Sequence, residues 1–269
     1  MEMENACERS FREVFSSGGT PLFGSFIKTP TSHSVEIIGD LGFDFVVVDA
    51  EHAPFDRGAI DMVLLAARAA RVAAIVRVPV TAPDYVLAAL DDGATGILAP
   101  HIASARDAAD LVSWCRYSGK RGFSNSPRAG RYGGKGVWQH IDEADKTVTV
   151  IAMIEDAEAV ERIDEIVGVV GLDGVFVGRG DLGVALGDRE PGAPRVKAAT
   201  DKVIEAARRA RKPVCLLAAN AAEAAEFRVT GVSAFVISSD QGFMRTAAKS
   251  ALGEFQVACQ RHNQWQEPL

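Results

Sequence analysis

Two carboxylates and a histidine follow an apolar run near residue 50. The run Phe45-Val46-Val47-Val48 leads into Asp49, Glu51 and His52. Carboxylates hold divalent cations and a histidine titrates near neutral pH, so this set has the chemistry to bind a metal or to move a proton. Three consecutive valines are typical of a strand that is buried on both faces. Ligands collect at the carboxyl ends of such strands, and we therefore expect other functional residues to lie near His52.

Three further charged residues stand at the ends of predicted strands. Arg77 lies near the end of the third, Glu155 follows the fifth, and Asp181 follows the sixth. If the strands form a barrel, Glu155 and Asp181 come from adjacent strands, an arrangement that suits a divalent cation. The glycines of Gly178-Arg179-Gly180 would let backbone N–H groups approach a carboxylate or phosphate of a substrate.

The elements that must position these residues alternate regularly along the chain. The sequence predicts eight strands, each followed by a helix; the strands are 22–27, 43–49, 73–78, 95–99, 148–154, 173–177, 213–217 and 234–238. This count and the length of 269 residues predict a (β/α)8 barrel of the TIM type. A doubly wound open sheet is the alternative, because strand order cannot be read from the sequence.

The predicted barrel takes up residues 1–269 as a single domain. An amphipathic helix over 5–17 precedes the first strand, an apolar helix over 241–260 follows the last, and 261–269 forms a polar tail. The long segment 119–136 interrupts the alternation and is rich in glycine and basic residues. It is either a lid that binds an acidic substrate or a solvated surface loop.

Composition excludes several classes of protein. The net charge is −7, and the 29 lysines and arginines are scattered, so we expect no nucleic-acid partner. No apolar run is long enough to span a membrane, and the acidic N-terminus lacks the apolar core of a signal peptide. Four widely spaced single cysteines favour reduced thiols and a cytoplasmic location; they are Cys7, Cys115, Cys215 and Cys259.

Several short segments, in the same order along the chain, carry a family resemblance. They are 42–44, Asp49-Ala50-Glu51-His52, Arg77-Val78-Pro79, Leu90-Asp91-Asp92-Gly93-Ala94, Ile154-Glu155, Gly171-Leu172-Asp173-Gly174 and Gly180-Asp181-Leu182. With them the chain resembles the HpcH/HpaI aldolase family, the class II metal-dependent aldolases of 2-oxo acids. That family belongs to the phosphoenolpyruvate/pyruvate-binding barrel superfamily, so the resemblance also implies a barrel.

The resemblance implies a role for each matching residue. Glu155 and Asp181 would bind the metal, which is Mg²⁺, Mn²⁺ or Co²⁺ in such enzymes, and a pyruvate-type ligand would chelate it. His52 would be the general base, oriented by Asp91 as the second member of a dyad. Arg77 would stabilise the keto oxygen as it becomes an enolate.

Other residues of the predicted site have supporting roles. Glu51 and Asp49 would orient water and neighbouring side chains at the metal, and the run Gly178-Arg179-Gly180 would bind substrate. A metal and an arginine at a developing enolate oxygen stabilise charge where it appears, and a histidine near neutrality can move the proton. The partners implied are a 2-oxo acid and an aldehyde, joined or cleaved reversibly as a 4-hydroxy-2-oxo acid.

Alternative functions remain open at this point. The same enolate could condense with, or be released from, an oxaloacetate-type acid, as in a citrate synthase or a citrate or malyl lyase. Lys28 at the end of the first strand raises a metal-free Schiff-base mechanism. A binding protein that keeps the site without turnover is a third hypothesis.

Each assigned residue also has a purely structural interpretation. Asp181 could cap a helix, Asp91 could form a solvated pair with Asp92, and Arg77 and His52 could serve only to hold the barrel. The chain also departs from the family pattern at Met153, where many members have glutamine, and at Arg179, where Gly-Pro-Ala-Asp is common. Family members exchange their last helix between subunits in a trimer of dimers, so the resemblance implies a hexamer.

Overall fold

Eight parallel strands close into a barrel in this computed structural model, which describes residues 9–189 and 193–263. Neighbours in the chain are neighbours in the sheet, and the last strand pairs with the first. The strands are β1 Leu22–Ile27, β2 Phe45–Asp49, β3 Ala73–Arg77, β4 Gly96–Ala99, β5 Thr149–Ile154, β6 Gly174–Val177, β7 Val214–Leu217 and β8 Ala234–Ser239. The closed order confirms the predicted (β/α)8 barrel and excludes the open sheet.

The helices surround this barrel and return the chain from each strand to the next. They are α1 Phe11–Ser17, α2 Ser32–Asp40, α3 Arg57–Ala70, α4 Pro83–Asp91, α5 Ala105–Cys115, α6 Val137–Thr147, α7 Ala157–Glu161, α8 Ile163–Val167, α9 Arg179–Leu186, α10 Pro194–Arg209, α11 Ala221–Thr230 and α12 Asp240–Asn263. Where the sequence predicts one helix after the fifth strand, the structure has two, α7 and α8, with a break at Arg162. Helix α9 directly follows β6 and is additional to the single helix predicted between β6 and β7.

The valine run of β2 is apolar because both of its faces are buried. Phe45 and Val47 point into the barrel interior, whereas Val46 and Val48 pack in the layer between the strands and the helices. Alternate residues of a strand face opposite sides, so a strand with two buried faces needs an unbroken apolar run. This packing brings Asp49, the last residue of β2, to the mouth of the barrel.

Helix α1 packs at the amino ends of the strands. Phe15 is fully buried against Gly174 of β6, where a Cβ atom would lie 2.6 Å from the phenylalanine ring. Arg12 donates a 2.8 Å hydrogen bond to Asp173, which also accepts from Arg116. The predicted helix 5–17 thus corresponds to a helix that begins at Phe11, and part of the prediction lies outside the described residues.

Helix α12 has little contact with its own barrel. Phe243 in its first turn packs edge-on against Phe43, but the apolar side chains further along are exposed, including Met244, Leu252 and Phe255. Beside β8 and β1 the barrel surface has an apolar groove of about 550 Å³, lined by residues such as Phe23 and Ile237. No helix in the described part of the chain is long and apolar enough to cross a membrane.

Replacing Phe15 with alanine should destabilise the protein by about 3–5 kcal/mol, because the substitution leaves a cavity at the amino end of the barrel. Urea unfolding measures this change in the free energy of unfolding. Trp138→Ala is the matched control, since Trp138 is 74% exposed and its truncation should have a much smaller effect. Equal losses in the two variants would contradict the packing of α1 against the barrel.

Candidate active site

A fully buried carboxylate, Asp49, organises the mouth of the barrel. It is paired in register with Arg77 at the end of β3, whose Nε and Nη2 atoms lie 2.9 and 2.7 Å from its Oδ1 atom. The Nζ atom of Lys28 lies 2.6 Å from its Oδ2 atom. Burial raises the pKa of Asp49, but the two cations outweigh burial and leave that pKa below its usual value. Asp49 therefore positions two cations at the mouth.

Arg77 is held from several sides. Its Nη1 atom lies 3.1 Å from Oε2 of Glu51, and the guanidinium sits 5.1 Å from the ring centroid of Phe26. The same Nη1 atom is 3.8 Å from the sulfur of Met153, the residue that departs from the family pattern. A guanidinium fixed in this way presents its charge with little freedom to rearrange.

Glu155 follows β5 and is almost fully buried at the same mouth. Its Oε1 atom accepts a 2.8 Å hydrogen bond from the backbone N–H of His101. Burial raises the pKa of Glu155 to about 7, and the carboxylates of Glu51 and Asp181 add to this effect against the opposing influence of His101. Gly178 must be a glycine here, because a Cβ atom would lie 2.7 Å from that of Glu155.

His101 completes a group of side chains that could hold a metal ion. One ligand atom from each of Glu51, His101 and Glu155 lies within 4.8 Å of the others. Two carboxylates and an imidazole are suitable donors for a divalent cation, so the residues present fit the metal that the family resemblance implies. His101 was missed in the sequence, although it comes only two residues after the end of β4.

Asp181 lies in the first turn of α9 and is exposed. The structure brings it to the same end of the barrel as Glu155, close enough for its charge to raise the pKa of Glu155. It is not one of the three residues whose ligand atoms cluster within 4.8 Å. Of the predicted pair of metal ligands, only Glu155 belongs to this group, and Glu51 is its carboxylate partner there.

The structure does not bring His52 and Asp91 together. The Nε2 atom of His52 is 3.6 Å from Oε2 of Glu51. Asp91 is the last residue of α4, which returns the chain towards the start of β4, and it pairs with Arg121 at 3.3 Å. Among the residues that the structure describes, no hydrogen bond or ion pair joins Asp91 to His52. The predicted dyad is thus not formed within one chain.

His52 and Arg77 line a cavity of about 650 Å³ together with the run Gly178–Asp181. Arg179 is held at its edge by Glu223, with its Nη1 and Nη2 atoms 2.6 and 2.9 Å from the carboxylate oxygens, and it lies over the ring of Phe227. Its positive charge is therefore partly neutralised. The arrangement can bind a small anion near Arg77 and place it beside the carboxylates of the metal-binding group.

The long segment 119–136 contacts the outside of the barrel. Arg121 is buried, pairs with Asp91 and lies 4.4 Å from the ring centroid of Tyr117, and Arg128 donates to the backbone oxygen of Asp92. Only the short 3-10 turn Arg128–Gly130 is regular within it. Neither arginine lines the cavity at the mouth, so the lid interpretation gains no support from them.

A family model described as HpcH/HpaI aldolase/citrate lyase matches residues 22–247. The chain belongs to this family. It is 33% identical over 225 residues to the 5-keto-4-deoxy-D-glucarate aldolase of Enterobacter sp. (strain 638), covering 82% of this chain and 87% of that protein. The enzyme is accordingly a carbon–carbon lyase of the HpcH/HpaI family.

Two similar solved structures have the same fold. One is an HpcH/HpaI aldolase/citrate lyase family protein from Burkholderia cenocepacia J2315, with a TM-score of 0.87, 30% identity, and coverage of 91% of this chain and 98% of that one. The other is the citrate synthase SbnG, with a TM-score of 0.84, 28% identity, and coverage of 93% and 99%. The proteins that this chain resembles thus include one named as an aldolase and one named as a citrate synthase.

The raised pKa of Glu155 predicts how the stability of the metal-free lyase depends on pH. Its folded-state pKa of about 7 lies above the ordinary 4.5, so the folded state binds more protons than the unfolded state between these values. The free energy of unfolding should therefore fall as the pH rises through this window. Glu155→Gln cannot titrate and should remove that part of the pH dependence, as urea unfolding with EDTA at pH 5 and pH 7 would measure. Equal pH dependence in the two proteins would contradict the assignment.

Proposed function

We propose that this family member is a metal-dependent aldolase that cleaves and forms 4-hydroxy-2-oxo acids through a pyruvate-type enolate. The position of the Arg77 guanidinium supports this proposal most strongly. The buried Asp49 fixes it, and it contacts Glu51, a member of the group that could hold a metal ion. An aldolase of this kind needs a fixed positive charge beside its metal, because the keto oxygen gains negative charge as the carbon–carbon bond breaks.

Glu155 and Asp181, with Glu51 beside them, would hold the metal, which we propose to be Mg²⁺, Mn²⁺ or Co²⁺. When bound, the cation would act as a Lewis acid that stabilises negative charge on the oxygens of the 2-oxo acid. Asp49 would keep Arg77 aligned with the keto oxygen. Gly180 leaves open space for a substrate carboxylate at the start of α9, and Gly178 lets the backbone pass close to Glu155. The charge of Arg179 is committed largely to Glu223.

His52 is the proposed base. In the cleavage direction its Nε2 atom would accept the proton of the 4-hydroxyl group; the C3–C4 bond then breaks, and the aldehyde is released. The enolate that remains would be protonated at C3 to give the pyruvate-type product. Glu51, 3.6 Å from Nε2, would help to orient the ring. A contact with Asp91 would require a rearrangement or a second copy of the chain.

The metal-free Schiff-base mechanism is not supported by the position of Lys28. Its ammonium group lies 2.6 Å from the buried carboxylate of Asp49 and is paired with it. A Schiff base requires the neutral amine as nucleophile. Lys28 instead adds a second positive charge to the mouth, where it would attract an acidic substrate.

A citrate-synthase-like condensation with an oxaloacetate-type acid is the second candidate. It is favoured by the two cations at Asp49, which would suit a substrate with several carboxylates, and by the likeness to the citrate synthase SbnG. Assays that offer the enzyme pyruvate with semialdehyde acids, and separately with oxaloacetate, would distinguish the two. The relatives named as 5-keto-4-deoxy-D-glucarate aldolases support the first.

The proposed chemistry predicts metal-dependent exchange of the pyruvate methyl protons with D2O, followed by NMR. EDTA should abolish the exchange, and a divalent metal should restore it. Arg77→Ala should slow it by about 10²–10³-fold, because the substitution removes a charge fixed beside the enolate oxygen. Arg209→Ala, on the exposed face of α10, is the control and should leave the rate unchanged. Full exchange by the chelated enzyme or by Arg77→Ala would exclude the mechanism.

In the proposed assembly, α12 packs on the barrel of a second copy in a hexamer, a trimer of dimers. Exposed apolar residues along α12 and the uncovered groove beside β8 support this exchange, because each leaves apolar surface in water in a single chain. The double substitution Leu252→Asp and Phe255→Asp should therefore lower the mass measured by light scattering after gel filtration. Val170→Asp is the control, because Val170 is 91% exposed and lies outside α12 and the groove. A monomeric wild type, or a double variant with unchanged mass, would contradict the exchange.

A further inference from the structure

We infer that His101 is a further side-chain ligand of the metal, an imidazole nitrogen beside the carboxylates of Glu51 and Glu155. This inference rests on the proposed metal dependence and adds a nitrogen donor to an otherwise all-oxygen site. Its consequence is a preference for first-row transition-metal cations over Mg²⁺, stronger for Co²⁺ than for Mn²⁺, since affinity for such sites rises from Mn²⁺ to Co²⁺ and Mg²⁺ prefers oxygen ligands.

The position of His101 follows from the barrel. It comes two residues after the end of β4, and β4 is the neighbour of β5, which carries Glu155. The three residues therefore come from the loops after β2, β4 and β5, and their ligand atoms lie within 4.8 Å of one another. Side chains that converge from three separate strands surround a point at the mouth of the barrel, as a metal site requires.

The hydrogen bonds of the His101 ring are those of a histidine prepared for a metal. Its Nδ1 atom lies 3.1 Å from Oδ2 of Asp156, and its Nε2 atom lies 3.8 Å from Oε1 of Glu51. When Nδ1 carries the proton and donates it to Asp156, the lone pair of Nε2 remains available. A carboxylate behind a histidine fixes the tautomer and the ring orientation of metal-binding histidines in this way.

The backbone at His101 is also unusual. Its φ angle is +54°, in the left-handed region that residues other than glycine seldom adopt. This conformation directs the backbone N–H of His101 to Oε1 of Glu155 at 2.8 Å. The backbone of His101 therefore binds one oxygen of Glu155 and leaves the other oxygen for a cation. The imidazole of the same residue lies beside that carboxylate. Uncommon backbone conformations of this kind cluster at functional sites.

The competing interpretation is that His101 is only a counter-ion. Glu155 and Asp156 lie 3.5 and 3.1 Å from its Nδ1 atom, and Glu51 faces Nε2, so a protonated ring would be attracted to all three. A counter-ion and a ligand differ in one measurable respect. Only a ligand places a nitrogen nucleus in the coordination sphere of the metal.

The test uses Mn²⁺ bound to the full-length chelated enzyme and pulsed electron paramagnetic resonance, which detects the coupling of a coordinated ¹⁴N nucleus. The wild type should show imidazole coupling, and His101→Asn should lose it. Asparagine tolerates a positive φ angle, so the variant should fold, which circular dichroism and thermal unfolding would verify. His33→Asn is the matched control. His33 is an exposed histidine of α2, so this variant should keep the coupling.

Titrations of the same proteins measure the metal preference. His101→Asn should bind Mn²⁺ and Co²⁺ at least tenfold more weakly than the wild type does, because loss of a ligand or of a residue that supports it typically lowers metal affinity by this much. Its affinity for Mg²⁺ should change less. Wild type that binds Mn²⁺ without ¹⁴N coupling would overturn the inference and leave the carboxylate site intact. Coupling that persists in His101→Asn would come from another histidine, such as His52, and would overturn it too. Wild type that binds no divalent metal would overturn both this inference and the proposed function.

Discussion

The buried ion pairs of Asp49 are the interaction on which the mouth of this barrel depends. A carboxylate with no exposed surface is stable only if its charge is compensated, and Arg77 and Lys28 do this from the two neighbouring strands. Breaking such a pair leaves an uncompensated charge and typically costs about 3–5 kcal/mol, whereas replacing it with apolar residues is often neutral. Stability alone therefore does not explain its presence, whereas the role proposed for Arg77 would.

The second constraint is an excess of negative charge beside that pair. Glu51, Glu155 and Asp181 share one end of the barrel, and burial with mutual repulsion raises the pKa of Glu155 to about 7. A divalent cation would relieve this repulsion. In the proposed function, the fixed guanidinium and the bound cation would together supply positive charge to the oxygens of a small anionic substrate.

The barrel and much of its mouth could be predicted because they are encoded locally. The valine run of β2 must be buried on both faces, and the residue types at the ends of β2, β3 and β5 are visible in the sequence. Regular alternation of strands and helices then places those ends together. His101 could have been found by inspecting the loop after β4, since it lies only two residues beyond that strand.

Other features depend on contacts that sequence spacing does not reveal. Arg179 was predicted to bind substrate, but Glu223, 44 residues later, takes up its guanidinium. Asp91 was predicted to orient His52, but α4 carries it towards the start of β4, where Arg121 binds it. Helix α12 could be predicted as a helix, whereas the exposure of most of its apolar side chains is seen only in the structure.

A crystal structure with Mn²⁺ and pyruvate would test the central claim most directly, because the anomalous signal of Mn²⁺ locates the metal. The account predicts a peak in contact with Glu155, with the keto oxygen of pyruvate between the metal and the guanidinium of Arg77. A metal bound away from Glu155, or pyruvate bound out of reach of Arg77, would contradict it.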